Sequence, residues 1–229
     1  MTDLRYDAVF WDIGGVIVEL RSVREGYAAF LTELCATYDL PFDETADTWK
    51  SVLGEHFKSR DGTEFRSAQE GYVKATEAVF DGEAPDESAW WPLFDAATTD
   101  SLRAEPGAVD AIRELDELGV HLGIVSDIDH REMENMLGAF DLRNCFDAVT
   151  TSEAVGYTKP DPRMFEAALD AWGGDPADGL MVGDRYDHDV AGGKAAGLDT
   201  VAYGEDAAGE KADYVVDDLG RLPGIVRGD

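Results

Sequence analysis

The order of short apolar segments and helix-like segments constrains the fold of this chain more than any other feature. The apolar segments have the length and composition of strands, and they are Ala8–Ile13, Val120–Ser126, Ala148–Thr151, Leu180–Gly183, Thr200–Tyr203 and Tyr214–Val216. Segments of helical periodicity lie between the later ones, and they are Gly107–Leu118, Arg131–Phe140, Pro162–Trp172 and Val190–Ala196. Such alternation favours a parallel sheet with helices on both faces. We therefore predict an α/β fold, a doubly wound parallel sheet with a Rossmann-like core.

Residues 19–97 interrupt this alternation, because they contain helix-like segments and no strand-like one. The predicted helices are Val23–Tyr38, Glu44–Phe57, Glu64–Phe80 and Asp86–Ala97. Turn-forming Pro and Gly residues separate them. We expect residues 1–18 and 98–229 to form the core, and residues 19–97 to form an all-helical cap domain inserted after the first strand.

Polar side chains follow four of the predicted strands. Asp12 follows the first strand, Ser126 ends the second, Lys159 lies in the loop after the third, and Asp184 follows the fourth. Ligands of open parallel sheets bind beyond the carboxyl ends of the strands. The sequence therefore predicts that these groups converge on one site. Taken singly, Lys159 could be a surface lysine and Ser126 could cap the next helix.

Four segments in a fixed order resemble the motifs of the haloacid dehalogenase-like hydrolase superfamily, in its helical-cap, phosphatase-type branch. They are FWDIGGVIV, GIVSD, KPDPRMFEAAL and MVGDRYDHDVAGGKAAG. The resemblance implies that Asp12 is a nucleophile that forms an aspartyl-phosphate. It also implies that Ser126 binds a phosphate oxygen and that Lys159 neutralises the phosphate and holds Asp12.

The same resemblance implies a Mg²⁺ site, because a phosphate entering a site of carboxylates needs a compensating cation. Mg²⁺ prefers oxygen ligands in octahedral geometry. Asp12 and Asp184 are expected to supply carboxylate oxygens and Gly14 a backbone carbonyl. Asp189, in the fourth motif, is expected to bind the ion directly or through its neighbours.

Gly14 departs from the family pattern, because phosphatases of this superfamily usually carry a second Asp two residues after the nucleophile. Glycine cannot transfer a proton, and general acid–base help is worth about 10²–10⁴-fold in rate. Three interpretations remain open. In the first, the protein is a phosphatase whose substrates have good leaving groups, with Asp127 or Asp129 as a substitute acid. In the second, it is a dehalogenase of 2-haloacid type, which needs no metal. In the third, it is a catalytically impaired binding protein.

The charge of the chain limits its partners and surroundings. The 49 Asp and Glu residues are spread along the chain, and with 19 Lys and Arg residues they give a formal net charge of -30. High salt screens the repulsion within such a surface, so we predict a halophilic protein of a salt-rich cytoplasm; a merely acidic mesophilic protein is the alternative. We expect a small phosphorylated substrate, no nucleic acid, no membrane, and a monomer or homodimer.

Overall fold

The computed structural model describes residues 4–80 and 83–229. The chain forms two compact units, one made of Met1–Glu19 and Ala104–Asp229 and the other of Leu20–Arg103. We refer to them as the core and the cap. The last cap helix continues to Ser101, beyond the expected boundary at residue 97.

The core contains a six-stranded sheet in the order β3-β2-β1-β4-β5-β6. All neighbouring strands are parallel. The strands are β1 (Ala8–Trp11), β2 (His121–Ser126), β3 (Ala148–Thr151), β4 (Gly179–Gly183), β5 (Asp199–Tyr203) and β6 (Tyr214–Val216). Each overlaps a predicted strand, and the predicted α/β fold class is confirmed.

The topology reverses its direction at β1. Ala8 pairs with His121 of β2 on one side and with Gly179 of β4 on the other. The chain first adds β2 and β3 on one side of β1 and then β4, β5 and β6 on the other. The crevice at such a reversal is where open parallel sheets bind ligands.

Helices lie between strands of the core and, in the case of the last helix, after β6. The α-helices are α5 (Ala108–Glu117), α6 (His130–Gly138), α7 (Ser152–Val155), α8 (Pro162–Trp172), α9 (Ala191–Ala195) and α10 (Leu222–Arg227). The local sequence explains α8 at both ends. The Asp161 side chain accepts the Arg163 N–H, Pro162 occupies the first turn, and Gly173 ends the helix with a φ of 77°. A π-helical turn, Tyr186–Val190, precedes α9 where sequence periodicity predicts an α-helix starting at Val190.

The cap consists, over its described residues, of four helices. They are α1 (Leu20–Tyr38), α2 (Phe42–Lys58), α3 (Ala68–Ala78) and α4 (Glu87–Ser101). α3 begins after the predicted Glu64, because the Ser67 side chain accepts the N–H of Glu70 and caps the helix. Buried aromatic side chains, among them Phe30 and Trp49, form the interior of the cap.

Within the described part of the chain, none of the helices combines the length and apolar character that crossing a membrane requires.

Candidate active site

Asp12 lies directly after β1, where strand pairing and hydrogen bonds fix its position. Its N–H donates to the Val182 carbonyl of β4 at 3.1 Å. Its carboxylate Oδ1 accepts the Ile13 N–H at 2.8 Å and the Ser126 hydroxyl at 2.7 Å. The residue is 6% exposed. Ser126 therefore contacts the expected nucleophile, and it does not cap α6, which begins after Asp129.

Lys159 carries its ammonium group into the same site. Its Nζ lies 3.1 Å from Asp12 Oδ1 and 2.5 Å from Asp189 Oδ1, and its side chain is fully buried. Burial disfavours the charged form, but the negative charges of Asp12 and Asp189 outweigh this effect and raise the pKa of Lys159. Lys159 is thus a buried, charged partner of two carboxylates, and the surface-lysine interpretation is wrong.

Three carboxylates, those of Asp12, Asp184 and Asp189, meet beside this lysine. One ligand oxygen from each lies within 4.8 Å of the others. Burial, together with the charges of Asp12 and Asp189, raises the pKa of Asp184 to about 7. Asp184 Oδ1 is buried and accepts a hydrogen bond from none of the described residues. A buried acceptor is normally satisfied by a partner, so this oxygen fits a cation ligand.

Two glycines that the sequence analysis did not single out make room for these carboxylates. A Cβ on Gly15 would lie 2.0 Å from Asp184 Oδ2, and a Cβ on Gly183 would lie 2.1 Å from the Asp189 Cβ. Gly15 also has a φ of 81°, a left-handed conformation that glycine adopts at low cost. Both glycines stand inside the motifs, beside Gly14 and Asp184, which is the signal that could have identified them.

Gly14 lies in a tight turn that follows Asp12. It forms an isolated bridge with Val18, and the N–H of Gly15 donates to the Val18 carbonyl at 2.8 Å. Val18 in turn pairs with Ala104, where the chain re-enters the core. The role of the Gly14 carbonyl as a metal ligand stays a prediction.

Asp127, considered in the sequence analysis as a substitute acid, accepts hydrogen bonds from several distant residues. Its Oδ1 accepts the Lys159 N–H at 2.7 Å and the Ser152 hydroxyl at 3.2 Å. Its Oδ2 lies 3.2 Å from Nδ1 of His188 and 3.5 Å from a guanidinium nitrogen of Arg185. Because Nε2 of His188 accepts a hydrogen bond from Arg185, Nδ1 carries the proton and donates it to Asp127.

The surroundings of Asp127 decide its protonation. Burial opposes its ionisation, but the hydrogen bond from His188 and the charge of Lys159 prevail and hold its pKa below the ordinary value. An ionised carboxylate with these partners is a poor substitute for the acid missing at Gly14. Asp127 instead holds the loop of Lys159 against the turn of Arg185 and His188. Its partners are 25 to 61 residues away in sequence, so no local pattern could show this.

The arrangement as a whole fits a divalent cation of the Mg²⁺ type. Carboxylate oxygens are the ligands that hard cations prefer. The three carboxylates and one ammonium group also leave the cluster with a negative formal charge, which a cation compensates. The expected ligands Asp12, Asp184 and Asp189 are therefore brought together. A carboxylate nucleophile, a fixed ammonium and a cation site are together suited to displacement at an electrophilic centre.

Comparison with known proteins agrees with this description. The chain is 44% identical over 92 residues to haloacid dehalogenase-like hydrolase domain-containing protein 3 of Homo sapiens, a match that covers 40% of this chain and 36% of that protein. It is 27% identical to a ribulose-1,5-bisphosphate 5-phosphatase of Halopiger xanaduensis, over 82% of this chain and 85% of the relative.

A solved structure shows the same fold. The HAD phosphatase from Thermococcus onnurineus superposes with a TM-score of 0.74 at 23% identity, over 97% of this chain and 99% of the other. The chain spans about a third of the length of the human relative. Residues 6–197 match the family described as haloacid dehalogenase-like hydrolase. The chain belongs to the haloacid dehalogenase-like hydrolase family.

Proposed function

We propose that the protein is a Mg²⁺-dependent phosphatase that acts on a small phosphorylated metabolite through an aspartyl-phosphate intermediate. One observation carries the proposal: the carboxylates of Asp12, Asp184 and Asp189 lie within 4.8 Å of one another beside the buried ammonium of Lys159. A metal-free displacement at carbon has no need of this acidic cluster, whereas phosphoryl transfer does need a cation to offset the charge of the substrate.

In the proposed reaction an oxygen of Asp12 attacks phosphorus, and the bond from phosphorus to the leaving oxygen breaks with its electron pair. Water then attacks the phosphorus of the aspartyl-phosphate, which releases inorganic phosphate and restores the Asp12 carboxylate. Hydrogen bonds from Ile13 and Ser126 hold this carboxylate in one orientation. Lys159 keeps its proton and supplies a fixed positive charge. Asp12, Asp184 and Asp189 would hold a Mg²⁺ ion, which would supply further neutralisation of the phosphate charge.

Gly14 points to the class of substrate. Because it offers no proton to the leaving oxygen, the favoured substrates are those with good leaving groups, such as sugar-1-phosphates, acyl phosphates or aryl phosphates. A relative named ribulose-1,5-bisphosphate 5-phosphatase matches 82% of this chain and supports a phosphorylated sugar; the leaving-group preference rests on Gly14 alone, because a 5-phosphate is an alkyl ester. Gly14→Asp is then expected to raise turnover of alkyl phosphates.

The test measures phosphate release in multi-molar KCl from p-nitrophenyl phosphate and glucose-1-phosphate, with and without Mg²⁺. We expect release that requires Mg²⁺ and that Asp12→Asn abolishes. Chloride release from 2-chloropropionate without metal would instead identify a dehalogenase. Inactivity across a broad panel, with phosphate-ester binding intact, would identify a binding protein. Either of these two results overturns the proposal.

We also propose that the protein works in a salt-rich cytoplasm. The support is its formal net charge of -30. Screening at multi-molar salt shortens the range of repulsion to about 3 Å or less. Thermal melting in dilute buffer and in multi-molar KCl tests this, and equal stability under both conditions would contradict it.

A further inference from the structure

The cap holds a cavity of about 510 Å³ between α1 and α2. α1 lines it with Arg24 and Tyr27, and α2 lines it with Phe42, Lys50 and Phe57. Small-molecule sites have volumes of about 300–1,000 Å³ and mostly apolar walls with few polar groups. The cavity has the size and chemistry of such a site.

Aromatic side chains give the cavity an apolar lining, and part of this lining is exposed to solvent. Trp49 forms part of the lining and is 1% exposed, so it belongs to the cap interior. Phe42 and Phe57 stand at 44% and 37% exposure, and they are two of the most exposed large apolar side chains of the described residues. Apolar surface in contact with water is costly, and an apolar molecule lodged here would cover it.

The charges around the cavity are unusual for this chain. Acidic residues number 49 of the 229, yet none of the residues that line the cavity is acidic. The cap contains eight basic residues. Arg24 and Lys50 both line the cavity, and neither forms an ion pair or hydrogen bond with a described residue. Other basic residues of the cap are paired, as Arg21 is with Glu25.

We propose that this cavity binds a small amphipathic anion, with an apolar or aromatic body against Phe42 and Phe57 and a carboxylate, sulfonate or phosphate group between Arg24 and Lys50. The two unpaired cations complement an anion and leave the apolar lining to the rest of the ligand. The site lies wholly within the cap and does not depend on the proposed phosphatase activity.

The probe for the test is 1-anilinonaphthalene-8-sulfonate, which is an amphipathic anion, and its uncharged counterpart is N-phenyl-1-naphthylamine. Probe fluorescence and quenching of tryptophan emission are followed at the lowest KCl concentration that preserves the near-ultraviolet circular dichroism. We expect saturable binding of one anionic probe per chain and weaker binding of the uncharged one. Arg24→Gln and Lys50→Gln should each weaken binding of the anion about two- to fivefold.

Matched controls separate the cavity from general surface effects. Arg21→Gln and Lys58→Gln remove charges from the same two helices at positions outside the lining, and they should leave the affinity unchanged. Gly54→Phe fills the cavity from α2 and should abolish binding. A Cβ at this position meets no atom within 4 Å among the residues that the structure describes. Gly138→Phe adds the same ring at an equally open position on α6 of the core and should have no effect.

Two outcomes overturn the proposal. Equal affinity for both probes, unchanged by Arg24→Gln and Lys50→Gln, would show an apolar groove without anion selectivity. A dimer in light scattering that Gly54→Phe converts to a monomer would assign the cavity to a second copy of the chain. Saturable, charge-dependent binding that Gly54→Phe removes from a folded monomer supports the proposal.

Discussion

The substitution Gly15→Ala tests whether the acidic cluster needs the free space beside Asp184, an effect that differs from backbone strain alone. The φ of Gly15 is 81°, and placing an L-residue in the left-handed region costs about 1–2 kcal/mol. The new Cβ would also lie 2.0 Å from Asp184 Oδ2 and 2.6 Å from its Cγ. The short Asp184 side chain must therefore turn away, and one of the three carboxylates leaves the cluster.

Gly156→Ala is a matched control for this change. Gly156 ends α7 with a φ of 84°, and a Cβ there meets no atom of a described residue within 4 Å. Both variants should lose about 1–2 kcal/mol of unfolding free energy from the backbone conformation, measured by urea denaturation in EDTA. Only Gly15→Ala should weaken Mg²⁺ binding in calorimetry, by about 10–100-fold, as changes that disturb the orientation of a ligand typically do.

Equal Mg²⁺ binding by the two variants would refute the prediction. If Gly15→Ala and Gly156→Ala bind Mg²⁺ equally well, the space beside Asp184 has no importance for the cation, and the assignment of Asp184 as a ligand fails. A stability loss from Gly15→Ala below about 0.5 kcal/mol, the range of ordinary surface substitutions, would show that the turn relaxes out of its left-handed conformation.

Further predictions follow from the same contacts. Lys159→Gln should cost about 3–5 kcal/mol in urea unfolding, because it leaves the buried Asp12 carboxylate without its cation; a loss below 1 kcal/mol would contradict the buried pair. Asp127→Ala should lower the free energy of unfolding by about 1–3 kcal/mol or more, because donors such as the Lys159 N–H lose their acceptor. Asp187→Ala, at an exposed aspartate, should leave the stability unchanged. In EDTA, Asp184 has a pKa of about 7 in the folded state and about 4 in the unfolded state. Between these pH values the folded state therefore binds one proton more than the unfolded state. Stability should then fall between about pH 4 and 7, and Asp184→Asn should flatten that dependence in urea titrations; an unchanged slope would refute it.

Strand and helix order could be predicted well, because it depends on local patterns. The segment Pro162–Trp172 was predicted with the bounds that α8 has in the structure, since its aspartate cap, its proline and its terminal glycine are all local signals. The start of α3 was predicted too early, although the sequence carries a local start signal: Ser67 is followed three residues later by Glu70, the spacing of a capping box. The π-helical turn before α9 was missed because it differs from an α-helix by a single inserted residue.

The site was predictable to the extent that it lies at strand ends. Asp12 directly follows β1 and Ser126 ends the neighbouring β2, so a parallel sheet alone brings them together. Asp127 was instead considered as a substitute acid, since its position after Ser126 says nothing of its partners. Its ionised state depends on His188 and Lys159, which tertiary structure brings to it. Sequence order can thus indicate which strand ends converge, but not which carboxylate is saturated by hydrogen bonds.

The charge balance of the cluster links these residues to the proposed chemistry. Three carboxylates and the ammonium of Lys159 carry a formal charge of -2, and burial makes an uncompensated charge of this size costly. Without a cation the cluster lowers that charge by raising the pKa of Asp184 to about 7. A divalent cation would remove the charge and leave all three carboxylates ionised. Asp184 Oδ1 accepts no hydrogen bond from the described residues, so it gains most when a cation replaces the proton. The geometry therefore favours metal-assisted displacement over a metal-free one.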